Sequence, residues 1–137
     1  MQDPSENLVT RQHDETEVPE VYGIPCQVFH ACYKAKDPVD VGWIYLKLDQ
    51  TWHGFYLDGG RLHWQEGQEP RPDVDLADGE DYVDWGTQLG VIGVPLTEVS
   101  IASAELTLRF QNGAEVVLRD YGIFFGTTSV LRFVPGK

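Results

Sequence analysis

Residues 104–120 read AELTLRFQNGAEVVLRD, and the fold turns on how this stretch pairs with itself. Leu106, Leu108 and Phe110 alternate with Glu105, Thr107 and Arg109, the two-residue period of a strand with one buried face. Asn112-Gly113 supplies the turn, because both residues tolerate the positive φ that a tight hairpin needs. A two-residue Asn-Gly loop would set Phe110 opposite Glu115 and Leu106 opposite Arg119, mixing charge into the apolar face. A three-residue loop, Gln111-Asn112-Gly113 with Gly113 left-handed, instead sets Leu106 against Leu118, Leu108 against Val116 and Arg109 against Glu115. Only the second register keeps one face apolar and pairs opposite charges on the other, so it is the one expected.

The same reasoning extends upstream to FYLDGGRLHW, residues 55–64. With Gly59-Gly60 as a two-residue loop, Leu57 faces Leu62, Phe55 faces Trp64 and Asp58 faces Arg61, while Tyr56 and His63 share the opposite face. Ahead of it, VGWIYLKLD (41–49) puts Trp43, Tyr45 and Lys47 on one side and Ile44, Leu46 and Leu48 on the other, the preceding strand of a meander. Further strands are expected at 27–33, 98–101 and 129–134. Fourteen Gly and eight Pro cut the chain into pieces too short for long helices, so the fold class expected is all-β, antiparallel hairpins and meanders forming a sandwich or a partly open barrel. Residues 82–92, YVDWGTQLGVI, are the one place where a short helix would make the fold α+β, and Gly86 and Gly90 argue against it. Residues 1–20 have no packing period and read as an acidic, disordered or loosely attached arm; residues 21–137 read as a single β-rich domain with an acidic loop at 66–84.

At 137 residues and 42% hydrophobic, the chain is long enough to bury one core and too short for two. No stretch approaches the roughly 20 apolar residues that span a bilayer, and the N-terminus lacks a basic region followed by an apolar one, so the cytoplasm is the expected location. Two cysteines, Cys26 and Cys32, are too few for a disulfide framework and are expected as buried thiols.

The formal net charge of -12 is confined to two segments. Residues 1–20 carry six acids against Arg11, for -5, and residues 66–84 carry eight acids against Arg71, for -7; these two sums account for the whole excess. Within the second segment DVDLADGEDYVDW, residues 73–85, holds six carboxylates and no Lys or Arg. Charge concentrated in this way attracts cationic partners and speeds their encounter, and it repels nucleic acid and anionic membranes. Aromatic residues accompany it: Trp64 precedes the run, and Tyr82 and Trp85 end it, a mixture of rings and rim charges common at interfaces. The expected partner-binding residues are therefore Glu66, Glu69, Asp73, Asp75, Asp78, Glu80, Asp81, Tyr82, Asp84 and Trp85.

LGVIGVPLTEVSIASAELTLRFQNGAEVVLRD, residues 89–120, resembles small bacterial proteins that include immunity proteins of polymorphic toxin systems. The resemblance rests on Gly93, Pro95-Leu96 and Val99, then on Leu106-Thr107-Leu108, Phe110, Asn112-Gly113 and Leu118. It implies an acidic single-domain protein that binds and blocks a toxin domain, often a basic nuclease, and it carries no functional residues with it. The function expected is accordingly an inhibitor that occludes a cationic protein, with no cofactor and no catalytic role. Two alternatives come from other classes: a nucleic-acid mimic that blocks a DNA- or RNA-binding protein, and a small ligand- or metal-binding β domain.

Metal and catalytic readings gain little from spacing. Cys26, His30 and Cys32 form part of a zinc-like set that His53 and His63 could complete, but strand alternation already makes His30 and Cys32 neighbours on one face. Counted from Asp73 as a calcium loop, the glycine falls at position 7 and position 5 is Ala77, one residue out of register. No nucleophile elbow, phosphate loop or zinc-protease motif is present. A minimal acid/base cluster would need His53 and His63 to meet across the second hairpin near Asp58.

Overall fold

A computed structural model describes residues 9–13, 16–34, 37–58, 60–67, 69–70, 81–120 and 128–137. They form strands β1 (Val9–His13), β2 (Thr16–Glu17), β3 (Cys26–Lys34), β4 (Asp37–Leu48), β5 (Thr51–Asp58), β6 (Arg61–Glu66), β7 (Asp81–Asp84), β8 (Leu96–Ala102), β9 (Glu105–Phe110), β10 (Glu115–Asp120) and β11 (Thr128–Val134), with one helix, α1 (Trp85–Leu89). All pairings are antiparallel. Sheet A runs β7-β3-β4-β5-β6-β1 and sheet B runs β2-β8-β9-β10-β11. The two pack as a sandwich that is not closed into a barrel.

β4 is the hinge between the layers. Near its start Asp40 pairs with Ser129 of β11, and from Ile44 to Leu48 it lies between β3 and β5. The β3–β4 register shifts twice between Cys32 and Lys34, on either side of Tyr33, the kind of irregularity that lets a strand turn from one sheet into the next. A second seam joins the layers at the start of β3, where Pro25 bridges Pro95 and Gly93 N–H donates to the Cys26 carbonyl at 2.7 Å.

The 104–120 hairpin takes the three-residue register. Leu106 pairs with Leu118, Leu108 with Val116 and Arg109 with Glu115; Gly113 has φ 91° and its N–H donates to the Phe110 carbonyl at 3.0 Å. The second hairpin is also as expected, with Phe55–Trp64, Leu57–Leu62 and Asp58–Arg61 pairs. Burial follows: Leu106, Leu108, Val116, Leu118, Phe55, Leu57, Leu62 and Trp64 all belong to one core between the sheets.

Three features differ from the sequence reading. Within the stretch 1–20, read as a disordered or loosely attached arm, residues 9–13 supply β1 on β6, residues 16–17 supply β2 on β8, and Val18 is buried in the core. A helix does form in 82–92, and the glycines that argued against it are what shape it. Gly90 adopts φ 70° as its left-handed C-cap, and Gly86 sits so close to β3 that an added Cβ would lie 3.3 Å from the Phe29 backbone nitrogen and 2.6 Å from Ile92 Cδ1. Finally, the turns Asp49-Gln50 and Ser103-Ala104 are two-residue hairpin loops in which every residue has positive φ, from 46° to 70°, with no glycine to announce them.

Gln50, exposed at φ 70°, carries a Cβ that the left-handed region penalises by roughly 1–2 kcal/mol; Gln50→Gly should therefore stabilise the fold by about 0.5–1 kcal/mol after the added chain entropy is counted, read as a raised urea midpoint at constant slope. Asp120 is buried and accepts the Gly60 N–H at 2.7 Å, tying the end of β10 to the β5–β6 loop. Asp120→Ala should cost about 1–3 kcal/mol by stranding that donor, with Asp120→Asn losing less in the same urea titration.

Candidate functional site

The outer faces of the two sheets are chemically opposite. On sheet B, Arg109 bonds Glu115 at 2.6 Å and Glu98 at 2.8 Å, Arg132 bonds Glu115 at 2.6 Å, and Arg119 bonds Glu105 at 3.1 Å. Three acids meet three bases there, and Glu17 of β2, exposed opposite Ser100, adds a fourth acid to the same face. Exposed pairs of this kind contribute at most about 1 kcal/mol each; their effect is to cancel the charge of the three arginines against glutamates on the same face.

Sheet A carries rings instead. Alternation along β4 sends Ile44, Leu46 and Leu48 into the core and leaves Trp43 and Tyr45 on the other side. From β6 to β3 the outer face then bears one continuous row. His63 stacks on Tyr56 at 4.6 Å and 6°, Tyr56 meets Trp43 at 4.4 Å, and Trp43 lies nearly parallel to Tyr45 at 5.7 Å. Tyr45 meets Tyr82 edge-on at 6.0 Å, and Tyr82 stacks with His30 at 6.2 Å. Tyr45 faces Gly54 across the β4–β5 pair, where no side chain competes for space, and is fully buried at the centre of the row. The other five rings are half-buried, with one face packed on neighbours and the remainder open. Lys47 extends the surface, its Nζ 5.7 Å from the centre of the Trp52 ring.

The acidic run attaches at both ends of this row. Glu66 is the last residue of β6 and half-buried, and Glu69 beyond it is exposed. Asp73, Asp75, Asp78 and Glu80 lie outside the described residues, and only the backbone of Asp81 is described, paired with Tyr33. Tyr82 and Asp84 fall on the outer face of β7, Tyr82 within the ring row and Asp84 exposed opposite His30. Trp85 belongs elsewhere. It is 1% exposed, its ring 5.5 Å from Phe29 and 5.3 Å from Phe133. The chain turns into α1 at Asp84 and carries Trp85 inward, so it anchors the core.

Histidines and cysteines are likewise dispersed. His53 points into the sandwich, where its Nδ1 accepts the Trp64 Nε1–H at 3.0 Å, while His63 stacks outside on Tyr56; the two do not meet across the hairpin. Cys26 and Cys32 are buried free thiols. Burial pushes the Cys26 thiol up to about 12, which leaves it protonated and unreactive at neutral pH. Among the described residues no three His, Cys, Asp or Glu side chains converge as metal ligands, and no helix is long and apolar enough to cross a membrane.

Asp84 fixes where β7 and its Tyr82 end. Its carboxylate accepts the Thr87 hydroxyl at 2.6 Å and the Thr87 N–H at 3.1 Å, capping α1. These bonds, the hydroxyl first, hold its pKa below the ordinary aspartate value, and His30 adds to the effect. A carboxyl whose folded pKa is lowered stabilises above its unfolded pKa and loses that contribution as pH falls through the folded one. Asp84→Ala should therefore cost about 1 kcal/mol at pH 7, and the gap from wild type should close as the pH drops below the ordinary aspartate range, measured by urea unfolding at stepped pH. Compared with known proteins, the chain matches no protein-family model, no curated protein and no solved structure.

Proposed function

We propose that this chain is a binding protein of the immunity type, which captures a cation-rich protein such as a basic toxin domain and occludes it with the outer face of sheet A. The observation that carries the reading is the contrast between the faces: sheet B pairs its three arginines with glutamates, whereas sheet A bears a row of six rings between the two attachment points of a segment with a charge of -7. Half-buried aromatic rings held rigid by their neighbours lose little entropy on docking and are the residues that dominate interface energies, at about 2 kcal/mol or more each. Rim carboxylates contribute less affinity and more speed, since their field acts before contact. Rings and acids therefore divide the work: the row sets how long a complex lasts, and the acidic segment sets how fast it forms.

That division supplies the test. With the partner captured from the native cell and immobilised, surface plasmon resonance on Trp43→Ala plus Tyr56→Ala should show dissociation about 10- to 100-fold faster, with association nearly unchanged. Reversal of Glu69, Asp73, Asp75 and Asp78 to Lys should slow association and flatten its dependence on salt. Circular dichroism establishes that the ring variants remain folded. The reading fails if both rate constants survive both sets of changes.

A further inference from the structure

At one open end of the sandwich, between the Asp49-Gln50 turn and the last residue of β6, a cavity of about 250 Å³ reaches toward the core. It is smaller than the roughly 300–1,000 Å³ of sites that take whole drug-sized ligands, and it suits a single side chain or its equivalent. Val21, Ile24 and Leu48 supply an apolar lining. Trp64 and His53 form a wall that is itself rigid: the indole Nε1–H donates to His53 Nδ1 at 3.0 Å, and the two rings lie 5.8 Å apart. An imidazole accepting at Nδ1 is neutral while that bond stands, so the wall adds no positive charge. The remaining charged lining is Glu20, Asp49 and Glu66, and no Lys or Arg is among the described residues that line it. The β5–β6 register places Glu66 directly beside His53.

Apolar lining, an indole wall and carboxylates match one guest chemistry: an alkyl stem that ends in a delocalised or compact cation. The stem replaces water over Ile24 and the cation meets carboxylate oxygens, while Val21, Leu48 and the Trp64 ring, each 1% exposed, close the floor behind them. We propose that this cavity binds one guanidinium or ammonium group on an alkyl stem, supplied by an Arg or Lys side chain of the docked protein. The identity of the source rests on the binding role proposed above, while the pocket's chemistry stands on its own lining. Such a side chain would be an anchor of the kind that concentrates binding energy, a charged group taken from water into a site with its counter-charges in place.

The test needs no partner. The full chain is titrated with Nα-acetyl-argininamide, with the citrulline amide in which a neutral urea replaces the guanidinium, and with 1,4-diaminobutane, while the Trp64 indole N–H resonance is followed by NMR. The arginine amide should shift that resonance saturably, the citrulline analogue should not, and Glu66→Gln should weaken the response about tenfold. Thr51→Trp, which fills the mouth of the cavity, should abolish it. An equal response to the neutral analogue, or no saturable response to either cation, overturns the proposal. A response to the diamine alone overturns the assignment to a protein side chain. Because the readout is a free small molecule, a failure here is distinct from a failure of the ring face to hold a protein, which the kinetic experiment reads separately.

Discussion

Everything in this protein depends on the two-residue period of β4. Ile44, Leu46 and Leu48 close the core, and with that choice made, Trp43, Tyr45 and Lys47 have only the outer face left to them. A slip of one residue would exchange the two sets and put a lysine between the sheets. The burial of three branched aliphatic side chains, at about 1.5–3 kcal/mol each, is thus what presents the aromatic row. β4 also bridges to β11, so the same strand orders the surface and joins the layers.

Charge reinforces this asymmetry. Sheet B carries its arginines where glutamates across the strands meet them, and the hairpin that fixes the Arg109–Glu115 pair is the one whose loop length separates apolar from charged residues. Electrostatics there pairs charge with charge. Of the two acidic segments, residues 66–84 leave sheet A at β6 and return to it at β7, beside the ring row, whereas residues 1–20 supply β1 to sheet A and β2 to sheet B. The cavity at the end of the sandwich adds carboxylates where β6 hands over to the acidic run, with Glu66 common to both.

Local rules were enough for the hairpins. Asn112-Gly113 and the alternation around it predicted the register pair for pair, and Gly59-Gly60 did the same for β5 and β6. They failed where backbone strain is held by context: Ser103-Ala104 has no turn chemistry of its own, yet the Asp120 N–H donates to the Ala104 carbonyl at 3.0 Å and helps to hold it. The short helix was obscured for a related reason, since Gly86 reflects close packing on β3 and not a break in the helix. Of the expected site, Tyr82 was legible as a half-exposed ring, but Trp85 next to the same acids proved to be core. Tyr56 and His63 were visible as partners because they share a hairpin. Their continuation through Trp43 and Tyr45 to Tyr82 and His30 requires β7 to pair with β3, a contact between residues some fifty positions apart that no local pattern encodes. β1 and β2 carry no periodic signal because they are only five and two residues long and take their order from β6 and β8.

The shortness of those strands has one more consequence. Sheet B is bordered on one side by β11, seven residues, which pairs with β4 at Ser129 and Asp40; its other border, β2, has two residues, and sheet A is bordered by β7, four, and β1, five. Borders this brief offer few unpaired backbone groups in register, which discourages another chain from adding itself as an extra strand. Eleven strands among the described residues would otherwise leave long rims open to polymerisation. Along the borders of sheet A self-association by main-chain zippering is blunted, and recognition there is left to side chains on the flat of the sheet.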